Sequence, residues 1–133
     1  MRVVIDSSVL VAAAIARAGV CATLVEDVLV THELVLSGYI CDEVERVLYE
    51  KFSFPAVHAK ELRDFWERVA IVVEPHAVPA AACRDPADLP VLGTALAGAA
   101  ELLITVDRDL LDLGEYQGIA IRRPAGFWVI QGG

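Results

Sequence analysis

Four carboxylates stand where the chain would ordinarily bury an apolar side chain or turn a corner. Asp6 follows Val3, Val4 and Ile5, and Asp107 follows Leu102, Leu103 and Ile104 with Thr105 and Val106 between. Each therefore leaves a short apolar strand at its carboxyl end. Each is also suited to cap the next helix, because an Asp side chain accepts from the free N–H groups there. Glu43 lies in "GYICDEVERVLYEKF", whose apolar stripe Ile40, Val44, Val47 and Leu48 has helical spacing. Glu43 shares that inward stripe, whereas Asp42 and Glu45 fall off it and read as solvated. A carboxylate on a buried face needs a cation, a hydrogen-bond donor or a metal. Asp88 precedes Val91 and Leu92 in "DPADLPVLGTALAGA", with Ala95 and Leu96 continuing the face. Asp85-Pro86 is itself a good cap and first-position pair, so spacing does not choose between Asp85 and Asp88.

Gathered at one place, such acids repel one another. At a separation of about 4 Å and an effective dielectric near 20, each pair costs about 4 kcal/mol. Protons or cations must neutralise the cluster. Oxygen donors without a neighbouring His or Cys favour Mg²⁺ or Mn²⁺. A divalent cation there can activate water and steady a phosphoryl group in transit. The expected chemistry is in-line hydrolysis of a phosphodiester.

The elements that would position these acids alternate between strand and helix. "RVVID" reads as a strand and "SSVLVAAAIARA" as a helix that Gly19 breaks. "CATLVEDVLVTH" is a second helix with Leu24, Val28 and Thr31 on one face. Strand "ELVLS" leads to the helix bearing Glu43, and "PAVHAKELRDFWERVA" is a fourth helix with Pro in its first turn. Strand "IVVEP" follows, then a loop from Pro79 to Arg84 expected to be the most flexible segment. A fifth helix covers "DPADLPVLGTALAGA", followed by strand "ELLITV", a short helix around "DRDLLDL" and a closing strand "IAIRRP". Strands alternating with helices predict an α/β three-layer sandwich with a mainly parallel central sheet. Sites in such sheets lie beyond the carboxyl ends of the strands, at a switch in strand order. Asp6 and Asp107 are at two such ends.

With 133 residues, no repeat, no low-complexity tract and no linker, residues 1–133 are expected to form one domain. The 56% hydrophobic content exceeds what most such chains carry. No apolar run approaches the ~18 residues of a membrane span, so the excess predicts core or an apolar partner surface and no membrane association. "MRVVIDSSVLVAAAIARAG" loosely imitates a secretory signal, but Asp6, Ser7 and Ser8 interrupt its apolar run, so a cytoplasmic protein is expected. Cys21, Cys41 and Cys83 are odd in number and far apart, against a disulfide framework or zinc knuckle. The net charge of -8 counts against simple binding of nucleic acid through phosphates. It does not exclude a nuclease whose acids line one metal-filled cleft.

The ordered set "VVIDSSVLVAA", "LVLSGYICDEVERVL", "CRDPADLPVLGTALAGAAELLITVDRDLLDL" and "IRRPAGFWV" resembles the PIN-domain ribonucleases, most closely the bacterial VapC-like toxins of toxin–antitoxin pairs. The likeness runs in order over nearly the whole chain, and Cys83 to Leu113 is its most specific piece. By this resemblance the family's four acids fall on Asp6, Glu43 (after Ser37), Asp88 (with Ala95) and Asp107 (after Thr105). Ser7, Thr105 and Asp109 are implied as auxiliary residues. The resemblance implies a Mg²⁺- or Mn²⁺-dependent endoribonuclease with an RNA substrate, often a homodimer and restrained by a cognate antitoxin protein. One departure stands out: the family's Asp-Thr-Asn opening is Asp6-Ser7-Ser8 here, which keeps a hydroxyl but loses the amide and implies weakened activity.

Other acid-bearing α/β modules fit less well. A receiver domain wants a Lys late in the chain, and none follows Lys60; a haloacid-dehalogenase phosphatase wants Asp-x-Asp, and Ser8 holds the second place. The serious rival is a catalytically weak or inactive PIN-like domain that binds a protein partner. Apolar helices such as "VLVAAAIARA" would serve such contacts. Phe52, Phe54, Phe65 and Trp66 are expected to fill core.

Overall fold

The computed structural model describes residues 1–132, with side chains described through Val129. Strands β1 (Arg2–Ile5), β2 (Glu33–Ser37), β3 (Ile71–Val73), β4 (Leu102–Ile104), β5 (Glu115–Tyr116) and β6 (Ile119–Arg122) form one sheet ordered β3-β2-β1-β4-β6-β5. All neighbours are parallel except β5 and β6, which form an antiparallel hairpin. β1 and β4 occupy the middle, paired Val3↔Leu102 through Ile5↔Ile104. Val3, Val4, Ile5, Leu102, Leu103 and Ile104 are all buried, as central strands covered on both faces require.

Helices α1 (Ser7–Ile15), α2 (Val20–Thr31), α3 (Gly38–Phe52) and α4 (Ala56–Val69) fill the connections from β1 to β3. The chain then reverses direction along the sheet, through α5 (Leu89–Ala97) to β4. Because parallel crossovers are right-handed, that reversal carries α5 to the opposite face from α1–α4. Helices α6 (Arg108–Leu111) and α7 (Pro124–Gly132) follow β4 and β6. The α/β sandwich with a mainly parallel sheet expected from the sequence is the fold observed. The switch in strand order falls between β1 and β4, where Asp6 and Asp107 leave the sheet.

Several boundaries differ from expectation. α1 ends at Ile15, three residues before the expected stop, because Ala16 leaves helical geometry and Arg17–Ala18 form a turn ahead of Gly19. The fifth helix is broken: a 3-10 turn over Pro86–Asp88 precedes α5, which starts at Leu89 with Pro90 in its first turn. The Pro79–Arg84 loop contains a 3-10 turn at Ala80–Ala82 and buries Cys83. Thr31 is exposed, and Val25 is buried instead. Of the four aromatics expected in the core, only Trp66 is fully buried; Phe52 and Phe65 are exposed. The terminal segment does not finish as a strand. Pro124, expected to close the last strand, instead opens α7, and Phe127 from that helix enters the core with its ring edge-on to His32 at 5.5 Å. Among the described residues no single helix is long and apolar enough to cross a membrane.

Candidate functional site

The parallel β1–β4 pair sends two chains out side by side, and their first polar residues bond to each other. Asp6 N–H donates to the Ile104 carbonyl at 2.9 Å, and Thr105 Oγ1 donates to Asp6 Oδ2 at 2.8 Å. The other Asp6 oxygen accepts from Ser7 N–H at 2.8 Å, which makes Asp6 the N-cap of α1. Asp107 N–H in turn donates to Thr105 Oγ1 at 2.9 Å. Asp107 Oδ1 caps α6 by accepting from Asp109 N–H at 2.8 Å and Leu110 N–H at 3.3 Å. Capping and site-building are thus compatible in both acids.

Glu43 reaches the same place from α3. Ser37 caps that helix, its Oγ accepting from Ile40 N–H at 3.4 Å and from Thr94 Oγ1 at 2.8 Å. One turn further on, Glu43 Oε1 accepts from Ser7 Oγ at 2.8 Å, which links the α3 acid to the Asp6 segment. The off-stripe acids are not simply solvated: Asp42 and Glu45 both pair with Arg63 from α4, the latter at 3.1 Å.

The break before α5 turns Asp88 inward, leaving it only 7% exposed. Asp85 caps the same turn by accepting from Ala87 N–H at 3.0 Å. The structure therefore uses both acids. Asp6, Glu43, Asp85, Asp88 and Asp107 line one cavity of about 200 Å³, together with Ser7, Ser8, Ala87, Val91 and Val106. None of these lining residues is a cation. Asp109 lies to the side: its carboxylate is 3.7 Å from Arg84 and groups with Asp85 and Asp88, the three offering ligand oxygens within 4.8 Å of one another.

Crowded acids hold protons more tightly. Burial pushes the Asp88 carboxyl up to about 7, helped by Asp107, Asp85 and Asp6. Burial likewise raises Asp6, opposed by the Thr105 and Ser7 hydrogen bonds and reinforced by Glu43 and Asp107. A bound cation would relieve this crowding, and the all-oxygen donor set fits Mg²⁺ or Mn²⁺.

Three neighbours were not singled out in the sequence as parts of this site. Cys83 Sγ stands 4.0 Å from Asp88 Oδ2 and 3.8 Å from the Asp109 carbonyl. Thr94 sits fully buried between apolar positions of α5, and that placement was the available signal. Tyr39, in the first turn of α3, donates to the Ala87 carbonyl at 2.8 Å; nothing in its sequence context marks it. Ser8, where the resemblance expects an amide, has a buried hydroxyl with no hydrogen-bond partner among the described residues.

Two solved structures share this arrangement of elements. One is VapBC2 from Rickettsia felis bound to a DNA fragment from its promoter, with TM-score 0.67, 11% identity, and coverage of 92% of this chain and 98% of that one. The other is VapBC-1 from nontypeable Haemophilus influenzae, with TM-score 0.64, 15% identity, and coverage of 94% and 99%. At such identities the likeness speaks to the fold. No curated protein matches the chain. Residues 2–109, which carry β1 through the start of α6 and with them every acid of the cavity, match the family model for the PIN domain, and the chain belongs to that family.

Proposed function

We propose that this protein is a divalent-cation-dependent endoribonuclease, and that it serves as the toxin of a toxin–antitoxin pair. One observation carries the reading: Asp6, Glu43, Asp88 and Asp107 arrive from four segments at a single cavity that no cationic side chain lines. Asp6, Glu43, Asp88 and Asp107 would hold Mg²⁺ or Mn²⁺. When bound, the cation supplies a water nucleophile at neutral pH and charge stabilisation for the phosphoryl group. The chain's own residues set the acids for this. Thr105 and Ser7 fix both oxygens of Asp6, Ser7 also orients Glu43, and the α6 cap leaves the second oxygen of Asp107 for the cavity. Burial and the neighbouring acids raise the Asp88 carboxyl to about 7, so a bound cation would compete with a proton there.

The antitoxin reading is supported by the shared fold with two proteins whose structures are of VapBC assemblies. An apolar surface beside the cavity, with Phe52 48% exposed near Val11 and Val47, suits such a partner or a second copy of the chain. Three free cysteines suit a reducing cytoplasm. The same surface favours the second reading, a PIN domain that binds a protein partner and has little activity.

The discriminating experiment is Mn²⁺ titration by calorimetry on wild type and Asp6→Asn, with RNA cleavage assayed on the same samples. Binding and cleavage lost together in the variant is the expected result. An absence of Mn²⁺ binding at millimolar concentration would leave the partner-binding reading in its place.

A further inference from the structure

Beside the acid cavity lies a second, uncharged pocket of about 430 Å³, lined chiefly by Tyr39, His76, Val78, Pro86, Leu89 and Pro90. The two share a wall. Along the turn before α5, Asp85, Ala87 and Asp88 face the acid cavity while Pro86, Leu89 and Pro90 face the second pocket. The strand order explains the neighbourhood. Asp6 and Asp107 leave β1 and β4; Tyr39 follows β2, and His76 follows β3, so both pockets lie beyond the carboxyl ends of one sheet.

The second pocket is built rather than incidental. The Tyr39 hydroxyl is tied to the shared wall through the Ala87 carbonyl at 2.8 Å. The His76 segment is pinned to α5 by its N–H donating to the Gly93 carbonyl at 3.0 Å. Position 93 must be glycine for that approach, since a Cβ there would stand 2.2 Å from the His76 carbonyl oxygen. The result is an aromatic ring, an imidazole and three prolines (Pro75, Pro86 and Pro90) around a space whose lining holds no carboxylate.

We propose that this pocket takes a nucleobase of a single-stranded RNA whose adjoining phosphate lies at the acid cavity, with the base stacked on Tyr39 and His76. The inference rests on the nuclease reading and adds how the strand is gripped. A base is flat and uncharged, so a chain of net charge -8 can hold it without meeting the repulsion that phosphates meet. Single-stranded RNA is held by stacking of splayed bases on aromatic side chains. The carboxylates reach this wall: burial and then Glu43, Asp88, Asp85 and Asp6 raise the Tyr39 phenol, which keeps its ring neutral.

The test is fluorescence anisotropy with a labelled octaribonucleotide and the same octamer made abasic, with Ca²⁺ as the cation. The full chain is compared as wild type, Tyr39→Ala, Tyr39→Phe and His76→Ala. Wild type should prefer the base-bearing octamer, and Tyr39→Ala should lose on the order of 5- to 150-fold in affinity for it. Tyr39→Phe should stay within about twofold of wild type, because the ring is retained. Equal binding of both octamers by wild type would overturn the proposal, as would equal loss in Tyr39→Phe and Tyr39→Ala. His76→Ala carries the test if Tyr39→Ala fails to fold. Manganese-dependent cleavage, assayed in parallel, separates the two readings. Base preference without cleavage overturns only the nuclease; cleavage without base preference overturns only the pocket.

Discussion

Asp6 and Asp107 each serve as a helix cap and as a wall of the cavity, and this double use explains what the sequence could reveal about them. An Asp after a strand is common, so its type says little; the run of three apolar residues just ahead of it, directly for Asp6 and two residues back for Asp107, says where it emerges. Asp88 was ambiguous with Asp85 because the 3-10 break depends on tertiary packing, and the structure places both at the cavity. The strongest consequence at this scale concerns pH. A carboxyl raised from its ordinary 3.8 to about 7 binds more protons folded than unfolded across that window. Without metal, stability therefore declines as pH rises from about 4 to about 7. Solvent reaching the cavity leaves this worth roughly 1–2 kcal/mol. Thermal unfolding in chelator should show the decline, Asp88→Asn should flatten it, and Mn²⁺ should stabilise wild type more at pH 8 than at pH 5. A melting temperature that rises across this window in chelator would contradict the account. Ser8 supplies a second test. Its buried hydroxyl lacks a partner among the described residues, and Ser8→Asn would supply the amide that the resemblance leads one to expect there. Cleavage should rise severalfold with Mn²⁺ affinity unchanged or higher; a fall in both would show that the cavity has no room for the amide.

Elements were legible in proportion to how much of their pattern was local. β1, β2, α3 and β4 carry unbroken apolar runs or a full helical stripe, and they form where expected. α7 was not legible: Pro124 fits a first turn, yet Gly126 and a short length offer little intrinsic helicity. It forms because Phe127 is buried and because Trp128 Nε1 donates to Asp27 on α2 at 2.7 Å. β5 has two residues, too few for any period, and exists through its hairpin with β6 across Gln117 and Gly118, both at positive φ. The packing of α5 on the sheet makes a sharper prediction. A Cβ at Gly98 would stand 2.4 Å from Val35 Cγ1 on β2. Gly98→Ala should cost about 1–3 kcal/mol by overpacking. Combined with Val35→Ala, it should add little beyond that change alone, since the shortened side chain removes the clash. Denaturant unfolding of the single and double variants measures the coupling, and strict additivity would place the strain elsewhere.

On the nuclease reading the whole molecule poses an electrostatic problem: a net charge of -8 would have to coexist with a polyanionic substrate. The arginines that could meet phosphates cluster by chain position at the carboxyl edge of the sheet. Arg84 precedes Asp85, Arg108 follows Asp107, Arg122 ends β6 and Arg123 follows it. Two of these are engaged already. Arg122 donates to the Gly114 and Ile121 carbonyls at 2.6 and 2.8 Å, and Arg84 lies 3.7 Å from Asp109. All four are exposed, and Arg108 and Arg123 are the two whose side chains are left for phosphate by these contacts. With so few contacts, RNA affinity should depend weakly on salt. For single strands the slope of log K against log salt is about -0.7 per phosphate contacted. Two or three contacts predict a slope of about -1.4 to -2.1, far shallower than that of a basic nuclease of similar size. Arg108→Ala and Arg123→Ala should each weaken binding without regard to sequence and reduce the slope by about 0.7. Anisotropy at fixed divalent cation and varied monovalent salt reads both effects. A wild-type slope steeper than about -4 would require a phosphate-binding surface away from this edge, because the edge does not carry enough arginine to produce it.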